Sequence, residues 1–364
     1  MYLIYIFVFA SMFIYKKMLI IIIFVIFSYV MYFLLKKRRH IFSSNKEGLS
    51  FTSTSESELT NIKSKNPTGI MSVIPANSNL QLREYCIKSS YNSAISGKYT
   101  SVQAIKYVLS RGCRLLDFEV FLIDNAPCVS YSTDPTFITI TSQNSITLNN
   151  AFQTIITNAF SAPSPNGSDP LFIQLRIKSN NPAIYNMIGM AIQNYLANKL
   201  YVGHVDGSTI LSELLGKVVL IIDKYTAPNY ADSSNYPKCN NSTSDINSGC
   251  YNLSTFMNME SGTGTLRMYS YTNLQRQATT PPIILDSDNL DTDISLLRIV
   301  QPDSTTPEDI NPVFSDFIQN YGVQFITNRF FITDTGLKFY EAFFASNKSA
   351  FVPYSFAISY FDAL

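Results

Sequence analysis

Asp117 and Glu119 stand two residues apart inside the apolar run Leu115–Phe121. If that run is a strand, its side-chain period of two turns both acids to the same face. Two carboxylates on a buried face are costly unless a cation or a hydrogen-bond network satisfies them. The pair is therefore the first candidate for chemistry, and a plain salt-bridge network is the competing use of the same residues. Imidazole, the usual general base near neutral pH, is scarce. The chain holds only His40, in a basic cluster, and His204, between Gly203 and Gly207 in a surface-loop pattern. The five cysteines show no CxxC or CxxH spacing of the kind that holds zinc. Such an odd, sparse set reads as reduced thiols. Cys86, Cys113 and Cys128 fall in strand patterns, whereas Cys239 and Cys250 lie in a polar loop and can pair if oxidised. With 27 basic against 26 acidic residues, no overall field draws the chain to nucleic acid or to an anionic membrane. Nucleic acid is not an expected partner, and any attraction to lipid must be local.

The elements that carry these residues follow from apolar periodicity. Leu148, Ala151, Phe152, Ile155, Ile156, Ala159 and Phe160 recur at helical spacing, as do Ile184, Met187, Ile188, Ala191, Ile192, Tyr195 and Leu196 behind Pro182. Short apolar runs at Leu171–Leu175, Val218–Ile222 and Val323–Ile326 read as strands covered on both sides, and after a polar stretch the βα pattern resumes with Thr265–Tyr269 and Leu297–Val300. Strands alternating with helices predict parallel βα units. A (β/α)₈ barrel takes about 250 residues, so 364 residues suit one barrel plus a tether. The tether is 1–40: Met18–Leu35 is an uncharged apolar stretch near the minimum needed to cross roughly 30 Å of hydrocarbon, followed by Lys36-Lys37-Arg38-Arg39-His40. A cleaved signal peptide is the other reading, but no small-residue cleavage site precedes the basic cluster. That cluster predicts a single-pass anchor with the barrel on the cytosolic side, where sequons such as Asn252-Leu253-Ser254 stay unused. Residues 41–69, rich in Ser, Thr, Lys and Glu, read as a flexible polar stalk.

Several segments, in order, resemble the catalytic barrel of eukaryotic-type phosphoinositide-specific phospholipase C. Ser89-Ser90-Tyr91-Asn92-Ser93 followed by Gly97 is similar to that family's SSHNTYxxG. Arg111-Gly112-Cys113-Arg114 through Asp117 and Glu119 resembles GCRxxExD, with the two acids exchanged. Asn150–Phe160 with Pro170–Arg176 resembles AIxxxAF…PxILSLE, and Leu215–Ile221 resembles LxGKILIK. Further on, Leu297–Pro302 looks like MRVYP, Asn311-Pro312 like NP, Gly322–Asn328 like GCQMVALN, and Phe351-Val352-Pro353 like YVLKP. The resemblance covers about 80–355. It implies a TIM-type (β/α)₈ barrel with an X-like half at 70–224, a polar X/Y linker at 225–262, and a Y-like half with the tail at 263–364.

The resemblance also implies what the site has lost. Tyr91 and Tyr131 stand at the family's two catalytic histidine positions. Asn92, Asp117 and Glu119 match calcium ligands, while Arg176 replaces the last, a Glu. Lys224 corresponds to a phosphate-binding lysine. Tyrosine titrates near 10 and is a poor base at neutral pH. A guanidinium among carboxylates bonds them bidentately and repels a divalent cation, so an internal ion pair is expected in place of calcium. The expected function is that of a membrane-anchored, catalytically inactive barrel with a structural, assembly or lipid-binding role, and no cofactor. The alternative is an active phosphoric diester hydrolase acting on membrane lipids and still using Ca²⁺. A third reading keeps recognition of an inositol phospholipid headgroup through Lys224 and Arg176 without cleavage. The abundance of Asn, Ser, Ile, Tyr and Phe with no Trp suits an AT-rich genome. In a large DNA virus, such a protein would be a minor virion component linking the inner membrane to capsid or other assembly proteins.

Overall fold

The structure is a computed structural model, and it describes residues 29, 31, 54–63, 68–134, 136, 139–237, 239, 249–277, 296–303 and 310–364. The chain divides after Phe51. Of 1–51 only Tyr29 and Met31 are described, both helical and exposed. The expected span 18–35 otherwise lies outside the described residues, as does His40. Among the described residues, no helix is long and apolar enough to cross a membrane.

From residue 54 the strands are β1 (Tyr85–Ser90), β2 (Leu115–Ile123), β3 (Ala126–Ser130), β4 (Ile146–Thr147), β5 (Leu171–Ile177), β6 (Val218–Asp223), β7 (Met259–Ser261), β8 (Leu266–Ser270), β9 (Leu297–Gln301), β10 (Phe325–Asn328) and β11 (Phe351–Pro353). The helices are α1 (Thr54–Ile62), α2 (Val102–Ser110), α3 (Leu148–Asn158), α4 (Ala183–Tyr195), α5 (Leu211–Leu214), α6 (Tyr271–Gln277), α7 (Ser315–Gln319), α8 (Thr335–Ser346) and α9 (Tyr354–Asp362). Eight strands, β1, β2 and β5 to β10, pair in parallel, and the β1–β2 pairing closes them into a barrel. The β3–β4 hairpin extends β2, and β11 lies antiparallel on β1.

The two helical stripes do what their spacing predicts. In α3, Leu148, Ala151, Phe152 and Ile155 are buried, and Thr147 caps the helix by accepting from the Asn150 N–H. In α4, Ile184, Ile188, Ala191 and Ile192 are buried against the sheet. Inside the barrel, the lower layer is apolar, with Phe172 meeting Phe325 at 5.2 Å between ring centroids. Higher up, the filling turns polar. Gln174 donates to Ser261 Oγ at 3.1 Å and accepts from Gln301 at 3.1 Å. These bonds cross the barrel, so 174, 261 and 301 point inward and their chain neighbours point toward the helices.

Three expectations are corrected. The stretch read as a stalk contains α1, whose Leu59 is buried in the main core. Its Glu58 accepts from Ser96 Oγ at 3.0 Å and from the backbone N–H groups of Lys98 and Tyr99. Leu59, Ile62 and one well-placed carboxylate dock a segment that is otherwise polar. The reading of 225–262 as linker fails at its end, where β7 pairs with β6 through Ile221, Ile222 and Asp223. A three-residue strand containing Glu260 and Ser261 carries no apolar run to announce it. Cys239 and Cys250 form a disulfide, so the cysteines are not all reduced; Cys86, Cys113 and Cys128 are free and buried. Asn252 of the sequon is itself buried, and burial alone bars a glycan there.

Glu58→Ala removes the acceptor shared by the 96–99 loop. It is expected to cost about 1 kcal/mol and to speed amide hydrogen exchange in α1 while β5 stays protected. Unchanged protection of α1 would show that the packing of Leu59 and Ile62 and the Tyr107 hydroxyl bond to Ile62 O suffice to dock the helix.

Candidate functional site at the barrel mouth

The parallel strands bring Asp117, Glu119, Arg176 and the residues after β1 together at their C-terminal ends, where barrels of this architecture place their chemistry. Register puts Glu119 beside Arg176 on neighbouring strands. Arg176 grips Asp117 with both edges of its fork, Nε to Oδ1 at 2.8 Å and Nη2 to Oδ2 at 2.6 Å. Its Nη1 reaches Glu119 Oε1 at 3.0 Å, and Nη2 also donates to Asn92 Oδ1 at 2.8 Å. Asn92 adopts φ 44°, in the left-handed region that asparagine tolerates. Its backbone N–H thereby meets Asp117 Oδ2 at 3.0 Å and its Nδ2 meets Glu119 Oε1 at 3.2 Å. Glu119 Oε2 is taken by Lys178 Nζ at 2.9 Å and by the Ser132 N–H at 3.0 Å.

Every carboxylate oxygen thus has at least one donor, and two acids face two cations. Asp117 and Glu119 are fully buried, and Arg176 is 6% exposed. Burial opposes the charged guanidinium, yet Asp117, Tyr91 and Glu119 outweigh it and hold Arg176 well above its ordinary value. Lys178 shifts the other way, lowered chiefly by burial against the attraction of Glu119. Asp223 points inward nearby, raised by burial and anchored by the Tyr225 N–H at 2.9 Å and Thr226 Oγ1 at 3.1 Å.

The two tyrosines separate. Tyr91 lies under the guanidinium, its ring centroid 4.6 Å from Arg176 Cζ and its hydroxyl 3.3 Å from Nη1. Tyr131 does not join the cluster; it packs with Ile95 and Phe331 in a small apolar cap that Ile62 and Ile332 flank. Burial raises both phenols above their ordinary value, so neither can act as a base near neutral pH. His204 is exposed and lies in the loop before β6, at the opposite end of the strands. Lys224 is corrected as a site residue. Asp223 turns inward, so its neighbour turns outward, where Lys224 Nζ sits 3.5 Å from Glu260 Oε1 and 5.1 Å from the Tyr230 ring centroid.

Calcium does not fit this donor set. Arg176 occupies the position between the acids at bonding distance to both, and among the described residues no three His, Cys, Asp or Glu side chains converge. Lys178 was missed from the sequence. Its signal was the period of two, which turns 174, 176 and 178 to one face of β5 and the residue beyond it.

A closed parallel barrel of eight strands with its polar cluster at their C-terminal ends defines a TIM-type barrel. Residues 78–224 match the family described as phosphatidylinositol-specific phospholipase C, X domain. Among solved structures, PLC21 of S. officinalis is similar with a TM-score of 0.56 and 15% identity, over 85% of this chain and 42% of that one. PLC21 of L. pealei is similar with a TM-score of 0.55 and 15% identity, over 76% and 37%. This chain therefore spans about two fifths of those proteins. A calcium-dependent phosphoinositol-specific phospholipase C from Pseudomonas sp is similar with a TM-score of 0.46 and 13% identity, over 80% and 100%. No curated protein matches the sequence.

Proposed function

We propose that this phospholipase C-like barrel does not cleave phosphodiesters by the histidine- and calcium-dependent route, and serves instead as a membrane-tethered structural or binding body. One observation carries the reading: a guanidinium fills the space between Asp117 and Glu119 with 2.6–3.0 Å bonds to both. Burial of Tyr91 and Tyr131 supports it, because neither phenol can take a proton from an inositol hydroxyl. Loss of one general base typically costs about 10²- to 10⁴-fold in rate, and here two are replaced. The tether is the apolar 18–35 with its basic flank, and an assembly partner such as a capsid protein suits a tethered inert barrel. The basic flank favours a cytosolic barrel; the Cys239–Cys250 disulfide favours an oxidising compartment.

The test is release of water-soluble inositol phosphate from vesicles carrying labelled phosphatidylinositol, with calcium and with chelator. No release above a protein-free blank is expected in either. Release that disappears in Asp117→Asn would establish the active phosphodiesterase instead.

A further inference from the structure

At the end of the barrel opposite the mouth, a cavity of about 390 Å³ lies between the starts of β9 and β10, the turn before β1, and the first residues of α9. Arg298 reaches it from β9. Gln301 points into the barrel, so Arg298, three residues earlier, faces outward. It is only 6% exposed, its Nε has no hydrogen-bond partner, and among the described residues no carboxylate pairs with it. The Tyr354 hydroxyl, on the same wall, is likewise buried without a partner. Burial holds this phenol well above its ordinary value, so it remains a donor.

The other polar groups of the wall are already committed. Gln324 accepts from the Arg298 N–H at 2.7 Å and donates to Arg83 O at 2.9 Å. The Glu84 carboxylate turns back to accept from the Gln81 N–H at 2.8 Å. Arg83 also lines the cavity. A buried cation and a buried phenol left without acceptors are costly, and an anion seated between them offsets both costs.

We propose that this cavity binds a small phosphomonoester, its terminal oxygens accepting from Arg298, Tyr354 and Arg83 and its body resting on Leu80, Leu296 and Pro353. A phosphate offers enough acceptor oxygens for two guanidinium forks and a hydroxyl, and arginine matches its geometry bidentately. The site is independent of the mouth and of whether the mouth is active.

Calorimetry on the full chain with inorganic phosphate and with glycerol 3-phosphate tests this, with glycerol as the control. Saturable heat is expected with both phosphates and none with glycerol. Arg298→Gln should weaken binding about tenfold or more, and Tyr354→Phe severalfold, the usual effect of losing a hydrogen bond to a charged group. Lys178→Gln, at the mouth, should leave binding unchanged. Absence of heat with both phosphates overturns the proposal, as does binding that survives both Arg298→Gln and Tyr354→Phe. Binding that Lys178→Gln abolishes places the anion at the mouth and overturns it too. If Arg298→Gln does not fold, Tyr354→Phe alone decides.

Discussion

Arg176→Ala is expected to destabilise the barrel by about 3–5 kcal/mol, because it leaves Asp117 and Glu119 buried together with only Lys178 to oppose them. The urea midpoint should fall at an unchanged slope. Arg176→Lys should recover only part of the loss, since an ammonium cannot span Asp117 bidentately while also reaching Glu119 and Asn92. Arg176→Glu makes the sharper contrast. It puts a carboxylate where the resemblance to the phospholipase C motif implies one, and sets three acids beside Asn92. Calcium at a hundred times its dissociation constant should then stabilise the variant by about 2.7 kcal/mol, read as a calcium-dependent rise in melting temperature. The native chain should show no such rise. An equal calcium response in the native chain would mean that the guanidinium does not bar the metal.

Arg114→Met is expected to be comparably severe, at about 3–5 kcal/mol, although Arg114 lies far from any reacting group. Its side chain is fully buried and donates to Ala159 O at 3.0 Å, to Ser164 Oγ at 2.6 Å, and to both oxygens of Asn166. Those acceptors close the connection between α3 and β5 under the barrel. Asp169 lies beside them, taking the Val73 N–H at 2.8 Å and Asn166 Nδ2 at 3.1 Å. Burial raises the Asp169 carboxyl to about 6, with Arg114 pulling it back down. The sign follows from that raised value. The folded state holds the proton more tightly than the unfolded state between the ordinary carboxyl value of 3.8 and about 6, so this group's contribution to stability falls as pH rises through that window. Without Arg114 the carboxyl rises further and the window extends upward. The loss in Arg114→Met should therefore be larger at pH 8 than at pH 5, measured by urea unfolding at both. A loss independent of pH would show that the carbonyl acceptors, not Asp169, account for the cost.

The residues that close the barrel were legible in different degrees. The apolar runs at 171–175, 218–222 and 297–300 lie within β5, β6 and β9, because a strand covered on both faces is mostly apolar, even where Gln174 and Arg298 interrupt the run. Asn311-Pro312, read only as a motif, proves to be a staple. Asn311 exchanges bonds with the Arg329 backbone and takes Asp334 through its own N–H at 2.7 Å. There the chain comes so close that a Cβ on Gly336 would lie 2.5 Å from Asn311 O. The composition of α1 is that of a solvated stalk; its docking rests on Leu59, Ile62 and Glu58. Tyr131 was assigned to the reacting centre by its place in a motif, yet it packs into the apolar cap with Ile95 and Phe331.

By itself the sequence determined that two acids share one face of a buried strand, that the barrel's motif positions carry no imidazole, and that an arginine stands on the next strand. Those are facts of identity and of local period, and a strand's alternation fixes them without reference to anything distant. Only the tertiary structure decided that the arginine bonds both acids, that Lys178 completes the charge balance, and that Lys224 turns away to Glu260. The Arg176–Asp117 contact joins residues 59 apart in the chain. Its existence depends on the register of β2 against β5, which the closure of the whole barrel sets and no short stretch of sequence encodes.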